Sequence, residues 1–428
     1  MKNFRFFLHL CLFLCSLNLF LFFSCASLPP PYTGEGLRLT VQEALDSYGL
    51  PKVTVDFPES YFEGDQWGKR AAELIYSAKE SIISTVFLGS YSPQSAIVLD
   101  ALSERAREGL AVYLIIDSIS NLEYTASSEQ MKSLHRMRID GVHLLEFNPF
   151  SGERILMLQN LLLREHRKFL IIDGTITALG GMNYNYVSLH DSQNPNGQRD
   201  SMYVFNSPSL SQLLLSNFIQ FWNEQSWDTI SYDMLDEKVT AEELDHNAWV
   251  ADQFNKNESV KHMFNALIDA ADHEIVMLPF LPFLDKNMSE SIKRAIDRGV
   301  SVKMLVPWDM RKENRMAVQY AALDLLDLGV ELYREHEPAK DYSYPLLHEK
   351  LMVVDYVYTM VGSSNYNFRS MNLSNELSIV VESEQLNQQS RAHLSELFSH
   401  SRKITREEAL TWRRIEVLPN YWFTFIGG

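Results

Sequence analysis

Apolar residues at helical spacing alternate with short apolar runs along most of the chain, in two successive series. In the first series this pattern predicts helices at 67–78 and 93–108, strands at 81–88 and 110–116, and a further unit through 141–149. In the second series it predicts helices at 260–271, 288–298 and 315–328, and strands at 274–278, 300–307 and 330–333. The alternation indicates an α/β fold in which helices cover a mixed or parallel sheet on both faces.

Each series ends in a stretch with the same skeleton. A histidine is followed by Lys at +2, Asp at +7, Gly at +14 and Asn at +17. The first stretch contains His166, Lys168, Asp173, Gly180 and Asn183, and the second contains His348, Lys350, Asp355, Gly362 and Asn365. Because five residue types recur at five matched offsets, we interpret the chain as a divergent internal duplication.

The skeleton predicts a chemically useful group of side chains at one edge of a sheet. An apolar run follows each His-x-Lys, at 169–172 and 351–354, and indicates a short buried strand. Residues two apart on a strand share a face, so the imidazole and the ammonium point the same way. Gly180-Gly181 is expected to let the backbone approach a ligand before Asn183. An imidazole, an ammonium and an amide together suit a phosphate group.

These residues resemble the His-x-Lys-x4-Asp motif of the phospholipase D superfamily, and their surroundings are most similar to its cardiolipin synthase-like bacterial branch. The matching residues of the first half are His-Arg-Lys, Ile-Asp-Gly, Gly-Gly-Met-Asn and Arg199-Asp200, and those of the second half are Gly362-Ser363-x-Asn365, Arg369-Ser370 and Glu376. Asn367 stands where that branch usually has Asp, and Ser374 where it usually has Asn. The resemblance implies two pseudo-symmetric phospholipase D-like α/β halves, each a mixed sheet covered by helices, with one active site at their interface.

The resemblance also implies roles for the motif residues. His166 is the expected nucleophile, which forms a phosphohistidine, and His348 is the expected acid and base, although the sequence alone leaves their order open. The expected ligands of the phosphate oxygens are Lys168, Lys350, Asn183 and Asn365, with Ser363 as a further candidate.

Four acidic residues accompany the histidines. Asp200 and Glu376, downstream of the motifs, are expected to fix the tautomers of the two rings. Asp173 and Asp355 count with the catalytic residues of the motif, but their position at turns favours a structural role through side-chain to backbone hydrogen bonds. No group of His, Cys, Asp and Glu has metal-ligand spacing in the sequence, so we expect chemistry without a metal or another cofactor.

Three activities use this chemistry. A phosphatidyltransferase passes a phosphatidyl group from a phosphatidylglycerol-like lipid to an alcohol, a hydrolase uses water as the acceptor, and a nuclease cleaves nucleic acid. The net charge of −17 disfavours nucleic acid as a partner. The expected partners are therefore a phospholipid, an alcohol or water acceptor and a membrane surface, and a monomer suffices for one site.

Two local clusters of positive charge are candidates to hold an anionic substrate on this acidic chain. They are Arg164, His166, Arg167 and Lys168 in the first half, and Arg311, Lys312 and Arg315 in the second. For the second cluster, ordinary solvated charge is an equal alternative.

Residues 1–24 are typical of an export leader. Lys2 and Arg5 precede an apolar run that ends before Ser24-Cys25, and this pattern resembles a bacterial lipoprotein signal with Cys25 as the lipidated residue. We therefore expect an exported protein, lipid-anchored to the cell envelope on the periplasmic or outer membrane side. A single uncleaved N-terminal membrane anchor is the alternative, because the run approaches the roughly 20 residues that a span needs.

Composition predicts the remaining boundaries. Residues 25–58 form the predicted tether and N-terminal extension, 59–230 the first half and 259–428 the second half. The acidic stretch 231–258 is the predicted connection, either a flexible linker or a solvated helix packed on one half. The C-terminal aromatic segment Tyr421-Trp422-Phe423, with Phe425, either docks on a membrane interface or packs against its own domain.

Overall fold

The computed structural model describes residues 38–120, 128–149, 162–190, 197–234, 244–336 and 345–427. The predicted leader, Cys25 and the Pro-rich part of the tether lie outside these residues. In the described ranges, no helix combines the length and the apolar composition that crossing a bilayer requires.

Helices and strands alternate through the first part of the described chain. In order they are α1 (Val41–Ser47), β1 (Lys52–Val55), β2 (Glu59–Tyr61), α2 (Gly64–Ser77), β3 (Ser81–Val86), α3 (Pro93–Arg107), β4 (Ala111–Asp117), α4 (Ser128–Ile139), β5 (His143–Phe147), β6 (Arg164–Glu165), β7 (Phe169–Ile172), β8 (Ile176–Gly180), β9 (Gln198–Arg199), β10 (Met202–Asn206) and α5 (Pro208–Gln225). A short 3-10 turn follows at Tyr232–Met234.

The second part repeats the alternation. In order its elements are β11 (His246–Gln253), α6 (Ser259–Ala270), β12 (Glu274–Met277), α7 (Lys286–Asp297), β13 (Ser301–Val306), α8 (Lys312–Leu328), β14 (Glu331–Glu335), β15 (Leu346–Leu347), β16 (Leu351–Val354), β17 (Tyr358–Gly362), α9 (Phe368–Asn372), β18 (Ser374–Glu382), α10 (Glu384–Ser399), β19 (Ser401–Lys403), α11 (Arg406–Trp412) and α12 (Leu418–Gly427). A 3-10 turn at Ile415–Val417 precedes α12.

Two mixed sheets form the centres of the two halves. The first has the strand order β2-β10-β8-β7-β3-β4-β5, and the second has the order β1-β11-β18-β17-β16-β12-β13-β14-β19. Strands joined by helices pair in parallel, β3 with β4 and β12 with β13, whereas the motif strands β7 and β16 pair antiparallel with their neighbours. The α/β fold of two similar halves expected from the sequence is confirmed.

The helix boundaries have local chemical causes. The hydroxyl of Ser92 accepts the N–H of Ser95 and caps α3, with Pro93 in the first turn. The carboxylate of Asp285 caps α7 in the same way, and Gly329 ends α8 in the left-handed conformation, with φ of 102°. Because such signals are local, the predicted helices and strands of both series agree with the structure to within about one helical turn.

The N-terminal extension and the end of the acidic stretch belong to the second sheet, contrary to the predicted boundaries. β1 pairs antiparallel with β11, and β11 pairs antiparallel with β18. β11 is mostly buried because its centre, 248–251, is apolar. Asp252 is buried too, since Oδ1 accepts from the guanidinium of Arg167 at 3.0 Å. Residues 246–253 are therefore neither a flexible linker nor a solvated helix, and residues 235–243 of the connection lie outside the described ranges.

A shared hydrophobic core joins the two halves. Its buried side chains include Ile83 and Phe169 of the first sheet and Leu351 and Ile379 of the second. Successive residues of a strand point to opposite faces, so Ile82 belongs instead to a separate core of the first half. A corresponding core of the second half packs the other face of the second sheet. The halves are consequently held together by the same kind of apolar burial that stabilises each of them.

A histidine of the second half also contacts the first half. Nε2 of His393, on α10, lies 2.7 Å from Oε2 of the buried Glu349, and the ring stacks on Phe62 of the first half at a centroid distance of 4.2 Å. Burial acts against the imidazolium, but the charge and the hydrogen bond of Glu349 outweigh it and raise the pKa of His393 above its usual value. The protonated ring therefore neutralises Glu349 while it packs against the other half.

This contact predicts a pH-dependent contribution to stability. A group whose pKa is raised on folding stabilises the folded chain below the unfolded pKa, about 6.5 for His, and loses that effect as pH rises through the folded pKa. We expect His393→Gln to lower the free energy of unfolding by roughly 1 kcal/mol more at about pH 6 than at about pH 8.5, measured by chemical denaturation. The exposed His135 of α4 supplies the control, His135→Gln. An equal loss at both pH values would contradict the role of the charged pair.

Candidate active site

Each motif histidine is positioned by backbone of the opposite half. β6, which precedes His166, pairs in parallel with the start of β18, and β15, which precedes His348, pairs in parallel with β9. The N–H of His166 then donates to the carbonyl of Asn375 at 2.9 Å, and the N–H of His348 donates to the carbonyl of Arg199 at 2.9 Å. Each histidine therefore lies beside Asn375 or Arg199 of the other half. The next residue along the chain is acidic in both cases, Glu376 or Asp200.

The acidic side chains complete this exchange. Nδ1 of His166 lies 2.9 and 3.0 Å from the two carboxylate oxygens of Glu376, and Nδ1 of His348 lies 2.6 Å from Oδ2 of Asp200. The sequence predicted these two acids as partners of the rings without assigning either acid to a ring. In the structure each acid binds the histidine of the opposite half. When Nδ1 carries a proton it donates to the carboxylate, which leaves Nε2 of each ring for a substrate. Nζ of Lys350 also lies 2.7 Å from Nδ1 of His348.

The two motif lysines lie beside the rings. Nζ of Lys168 donates to the carbonyl of His166, and Nζ of Lys350 donates to the carbonyl of His348. Both lysines are almost fully buried, with exposed fractions of 1% and 3%. The two imidazoles and the two ammonium groups also act electrostatically on one another, so the structure brings all four motif side chains into one cluster.

Two phenylalanines, which motif spacing did not reveal, complete the cluster. Phe87 packs edge-on against the ring of His166 at 4.9 Å, and Phe280 packs in the same way against His348 at 4.8 Å. Nζ of each motif lysine also lies 5.4 to 5.7 Å above the phenylalanine of its half. Their positions in the sequence were the signal that could have identified them, because Phe87 follows β3 and Phe280 follows β12, the corresponding strands of the two halves.

Hydroxyl groups hold the carboxylate of Glu376. Ser363 donates to Oε2 at 2.6 Å, and Ser370 of α9 donates to Oε1 at 2.7 Å. Ser363 is therefore occupied with Glu376, whereas the resemblance made it a candidate ligand of the phosphate. Asn367, which replaces the usual Asp, caps α9 by accepting the N–H of Ser370 at 2.9 Å, so this departure keeps the local helix start intact.

The carboxylate of Asp200 occupies space that a glycine leaves open. A Cβ on Gly181 would lie 2.0 Å from Oδ1 of Asp200, so a larger residue is excluded there. The N–H of Ser201 donates to the same oxygen at 2.9 Å. The missing side chain at Gly181 thus leaves room for the carboxylate of Asp200 in the same half. The sequence predicted instead that this glycine would let the backbone approach a ligand.

The two motif asparagines, Asn183 and Asn365, are both buried, but their side-chain oxygens differ in hydrogen bonding. Oδ1 of Asn183 accepts the N–H of Leu88 at 2.9 Å, which orients its NH2 group. Oδ1 of Asn365 is buried and has no hydrogen-bond partner in the described part of the chain. A buried amide oxygen without a partner is costly, so a donor on a bound ligand would stabilise it.

The two motif aspartates do not reach the imidazoles, which corrects their place among the catalytic residues. They follow β7 and β16 and have φ values of 48° and 50°, in the left-handed region. Each carboxylate accepts three backbone N–H groups where the first central strand of its half begins, at the opposite end from the phenylalanine. The donors are Lys79, Glu80 and Ser81 for Asp173, and Asp272, His273 and Glu274 for Asp355.

The arginines of the first basic cluster are bound by acidic side chains. Arg167 is fully buried and donates to Glu165 at 2.7 Å and to Asp252 at 3.0 Å. Arg164 donates to the buried Asp117 at 3.2 Å, and Asp117 also accepts the N–H of Glu165 at 2.7 Å. These arginines therefore fix the strand that leads into the motif, whereas the sequence made them candidates for binding an anionic substrate.

Burial controls the protonation of the rings and the lysines. Burial, with the two lysines next, lowers the pKa of His166 well below its usual value, and burial with Lys350 lowers the pKa of His348 to about 4. Burial also lowers the pKa of Lys168 to about 7 and that of Lys350 to about 8, against the attraction of the nearby carboxylates. Both rings are accordingly free bases near neutral pH, as a nucleophile must be.

The two acidic residues differ from each other. Burial would raise the pKa of Asp200, but Lys350 and His348 outweigh it and lower the pKa. Burial raises the pKa of Glu376 to about 7, against Lys168 and its two serines. In the described ranges no three His, Cys, Asp or Glu side chains are arranged to hold a metal ion, and metal independence stays a prediction.

Comparison with known proteins relates this geometry to named relatives. The cardiolipin synthase 2 of Bacillus cereus is 25% identical over 326 residues, which are 73% of this chain and 59% of that protein. The cardiolipin synthase of a Geobacillus species is 28% identical over 289 residues, 64% of this chain and 53% of that protein. The chain thus spans little more than half the length of these curated relatives.

Solved structures show the same fold. Phosphatidylserine synthase from Haemophilus influenzae superposes with a TM-score of 0.68 at 14% identity, over 91% of this chain and 100% of that chain. Polyphosphate kinase from Porphyromonas gingivalis superposes with a TM-score of 0.52 at 13% identity, over 90% and 52%. The family model described as cardiolipin synthase, PLD-like domain, matches residues 72–222 and 264–398, one segment in each half. The chain therefore belongs to the family of cardiolipin synthase, PLD-like domains.

Proposed function

We propose that the protein is an enzyme that cleaves phospholipid phosphodiesters through a phosphohistidine and transfers the phosphatidyl group to an alcohol. One observation carries the proposal. Two imidazoles, one from each half and only 11 to 13% exposed, are each bound at Nδ1 by a carboxylate of the other half, and two lysines lie beside them. This arrangement supplies a nucleophile, a proton carrier and positive charge for one phosphate group.

In the first step, Nε2 of His166 attacks phosphorus and the bond from phosphorus to the leaving alcohol oxygen breaks. His348, protonated at Nε2, gives that proton to the departing oxygen. In the second step, His348 takes the proton of the acceptor hydroxyl, the acceptor oxygen attacks phosphorus, and the bond from phosphorus to His166 breaks. Lys168, Lys350 and the amide of Asn183 bind the non-bridging oxygens throughout.

The difference between the two carboxylates supports this order of the histidines. Asp200 is held in its ionised form, and an ionised partner stabilises the imidazolium that His348 needs as an acid. The pKa of His348 is about 4, but an anionic phosphate bound beside it favours the charged ring and raises that value. Glu376, with its pKa near 7, stabilises an imidazolium at His166 less, which favours the free base.

The names of the relatives support transfer over hydrolysis. The sequence relatives are cardiolipin synthases, and that reaction joins a phosphatidyl group to a second lipid alcohol. Hydrolysis to phosphatidic acid uses the same intermediate with water as acceptor and is the second candidate. The net charge of −17 disfavours cleavage of nucleic acid, because long-range repulsion opposes its approach.

Product analysis separates transfer from hydrolysis. We expect the full-length protein, on phosphatidylglycerol vesicles with added ethanol, to form phosphatidylethanol, and to form cardiolipin without it. Phosphatidic acid as the sole product under both conditions would contradict transfer.

We expect His166→Ala and His348→Ala each to lower turnover by about a thousandfold or more, while the exposed His135→Ala retains it.

Trapping the covalent intermediate tests the order of the histidines. With a phosphodiester whose leaving group needs no proton, His348→Ala should still form a labelled phosphoenzyme, because only the protonation step is lost. His166→Ala should form none, since the attacking nitrogen is gone. The readout is covalently bound ³²P after rapid denaturation at alkaline pH. Label retained by His166→Ala and absent from His348→Ala would reverse the two roles.

We also propose export and lipid anchoring through Cys25. The apolar run that ends at Ser24-Cys25 supports this anchor, and a single N-terminal membrane anchor is the alternative. We expect cells fed radioactive fatty acid to label the wild-type protein and not Cys25→Ala. Equal labelling of both proteins would contradict lipidation at this residue.

A further inference from the structure

The C-terminal helix α12 has one packed face and one exposed face. Tyr421 lies 5.6 Å from the ring of Phe283, and Phe425 stacks on Phe368 at 5.0 Å. Phe423 is 81% exposed, and Trp422 is 38% exposed although its ring also lies 5.5 Å from that of Phe425. Packing against its own domain therefore describes Tyr421 and Phe425, whereas Trp422 and Phe423 form an aromatic pair that keeps exposed surface.

A basic cluster lies beside this exposed face. Nδ2 of Asn420 donates to the carbonyl of Glu313 at 2.7 Å, which places α12 next to the start of α8. Arg311 and Lys312 are exposed there, and Arg315 follows on the next turn of α8. The second basic cluster of the sequence thus lies at the surface near the start of α12, together with the exposed Glu313, and its excess of positive charge on a chain of net charge −17 favours an anionic partner.

The same face is structurally connected to the active site. α12 rests on α9 through Phe425 and Phe368, and the N–H of Phe368 donates to the carbonyl of Phe283 at 2.9 Å. α9 also carries Ser370, whose hydroxyl donates to Glu376, the partner of His166. One short helix consequently separates the exposed aromatics from the carboxylate that binds the motif imidazole.

We propose that α12 docks on an anionic phospholipid bilayer, with Trp422 and Phe423 in the interfacial region and Arg311, Lys312 and Arg315 against the headgroups. Aromatic side chains are favoured at the level of the headgroups, and each nearby Lys or Arg strengthens attraction to anionic lipid. Ile415, 83% exposed in the turn before α12, adds apolar area at the same end of the chain. Docking brings the bilayer to the side of α9 and so extends the proposed function with a surface for substrate delivery.

Quenching of tryptophan fluorescence by brominated acyl chains tests the docking directly. The chain has seven tryptophans, and the predicted leader contains none of them, so an N-terminal anchor does not contribute to the signal. Full-length His166→Ala protein is reconstituted in vesicles of phosphatidylcholine and phosphatidylglycerol, so that the readout is independent of turnover. We expect Trp422→Phe to remove more than half of the quenched emission. The fully exposed Trp227 is the matched control, and Trp227→Phe should leave the quenched emission unchanged.

The charge requirement is tested on the same vesicles. The triple variant Arg311→Gln, Lys312→Gln, Arg315→Gln should weaken docking by about fivefold for each charge removed, and docking should weaken with salt. A control with the same charge change on exposed cations of the first half is Lys69→Gln, Lys79→Gln, Arg107→Gln. Equal effects of the two triple variants would overturn the assignment of the basic cluster.

Turnover distinguishes docking from a role in folding. Phe423→Ser should lower the rate on bilayer phosphatidylglycerol at least about tenfold and leave the rate on a water-soluble short-chain phosphodiester unchanged. Quenched emission that persists in Trp422→Phe would overturn the proposal, as would concentration-dependent self-association that buries Trp422 without lipid. An inactive protein that still shows the quenching would contradict the proposed function alone.

Discussion

Each motif histidine is fixed by a strand and a carboxylate of the opposite half. The N–H of the histidine bonds to a carbonyl across the interface, and Nδ1 bonds to the acidic side chain that follows that carbonyl. Neither half contains the partner of its own imidazole. The orientation of both rings therefore depends on the packing of the two halves, and the shared core around Phe169 and Ile379 stabilises this packing. The site exists only in the assembled chain, although each half carries a complete motif.

Burying this many charges has a cost that shapes the site. Two lysines and two carboxylates are buried beside two imidazoles that are 11 to 13% exposed, and each charge must be balanced by a neighbour or removed by a shift in pKa. Burial moves the lysines and Glu376 to within about a unit of neutral pH. Groups poised in this way change protonation readily when an anion enters. A phosphate group bound here, as proposed, would restore the positive charge that burial has weakened, and its binding would be coupled to proton transfer.

The sequence predicted the half-sites more accurately than it predicted their assembly. β7 and β16 have the bounds expected from their apolar runs, because strand alternation is a local property. The crossed pairing of acids and rings joins residues 210 and 148 positions apart, and no local pattern encodes such a contact. The contact of Ser363 with Glu376 was not predicted, because a hydroxyl suits a carboxylate as well as a phosphate. The burial of Asp252 within the acidic stretch was not predicted either, since its partner Arg167 lies in the other half.

The halves differ behind the site as well as within it. The middle residue of the motif points away from the imidazole face, and it is Arg167 in one half and Glu349 in the other. Arg167 is balanced by Asp252 on β11, and Glu349 by His393 on α10. The charge behind each motif is therefore balanced by a different element of the fold in the two halves. A bilayer docked at α12 would meet this site from the side of α9 and Glu376, so it would approach the two rings from unequal directions. That inequality would favour the proposed division of roles, in which one histidine attacks phosphorus and the other carries the proton.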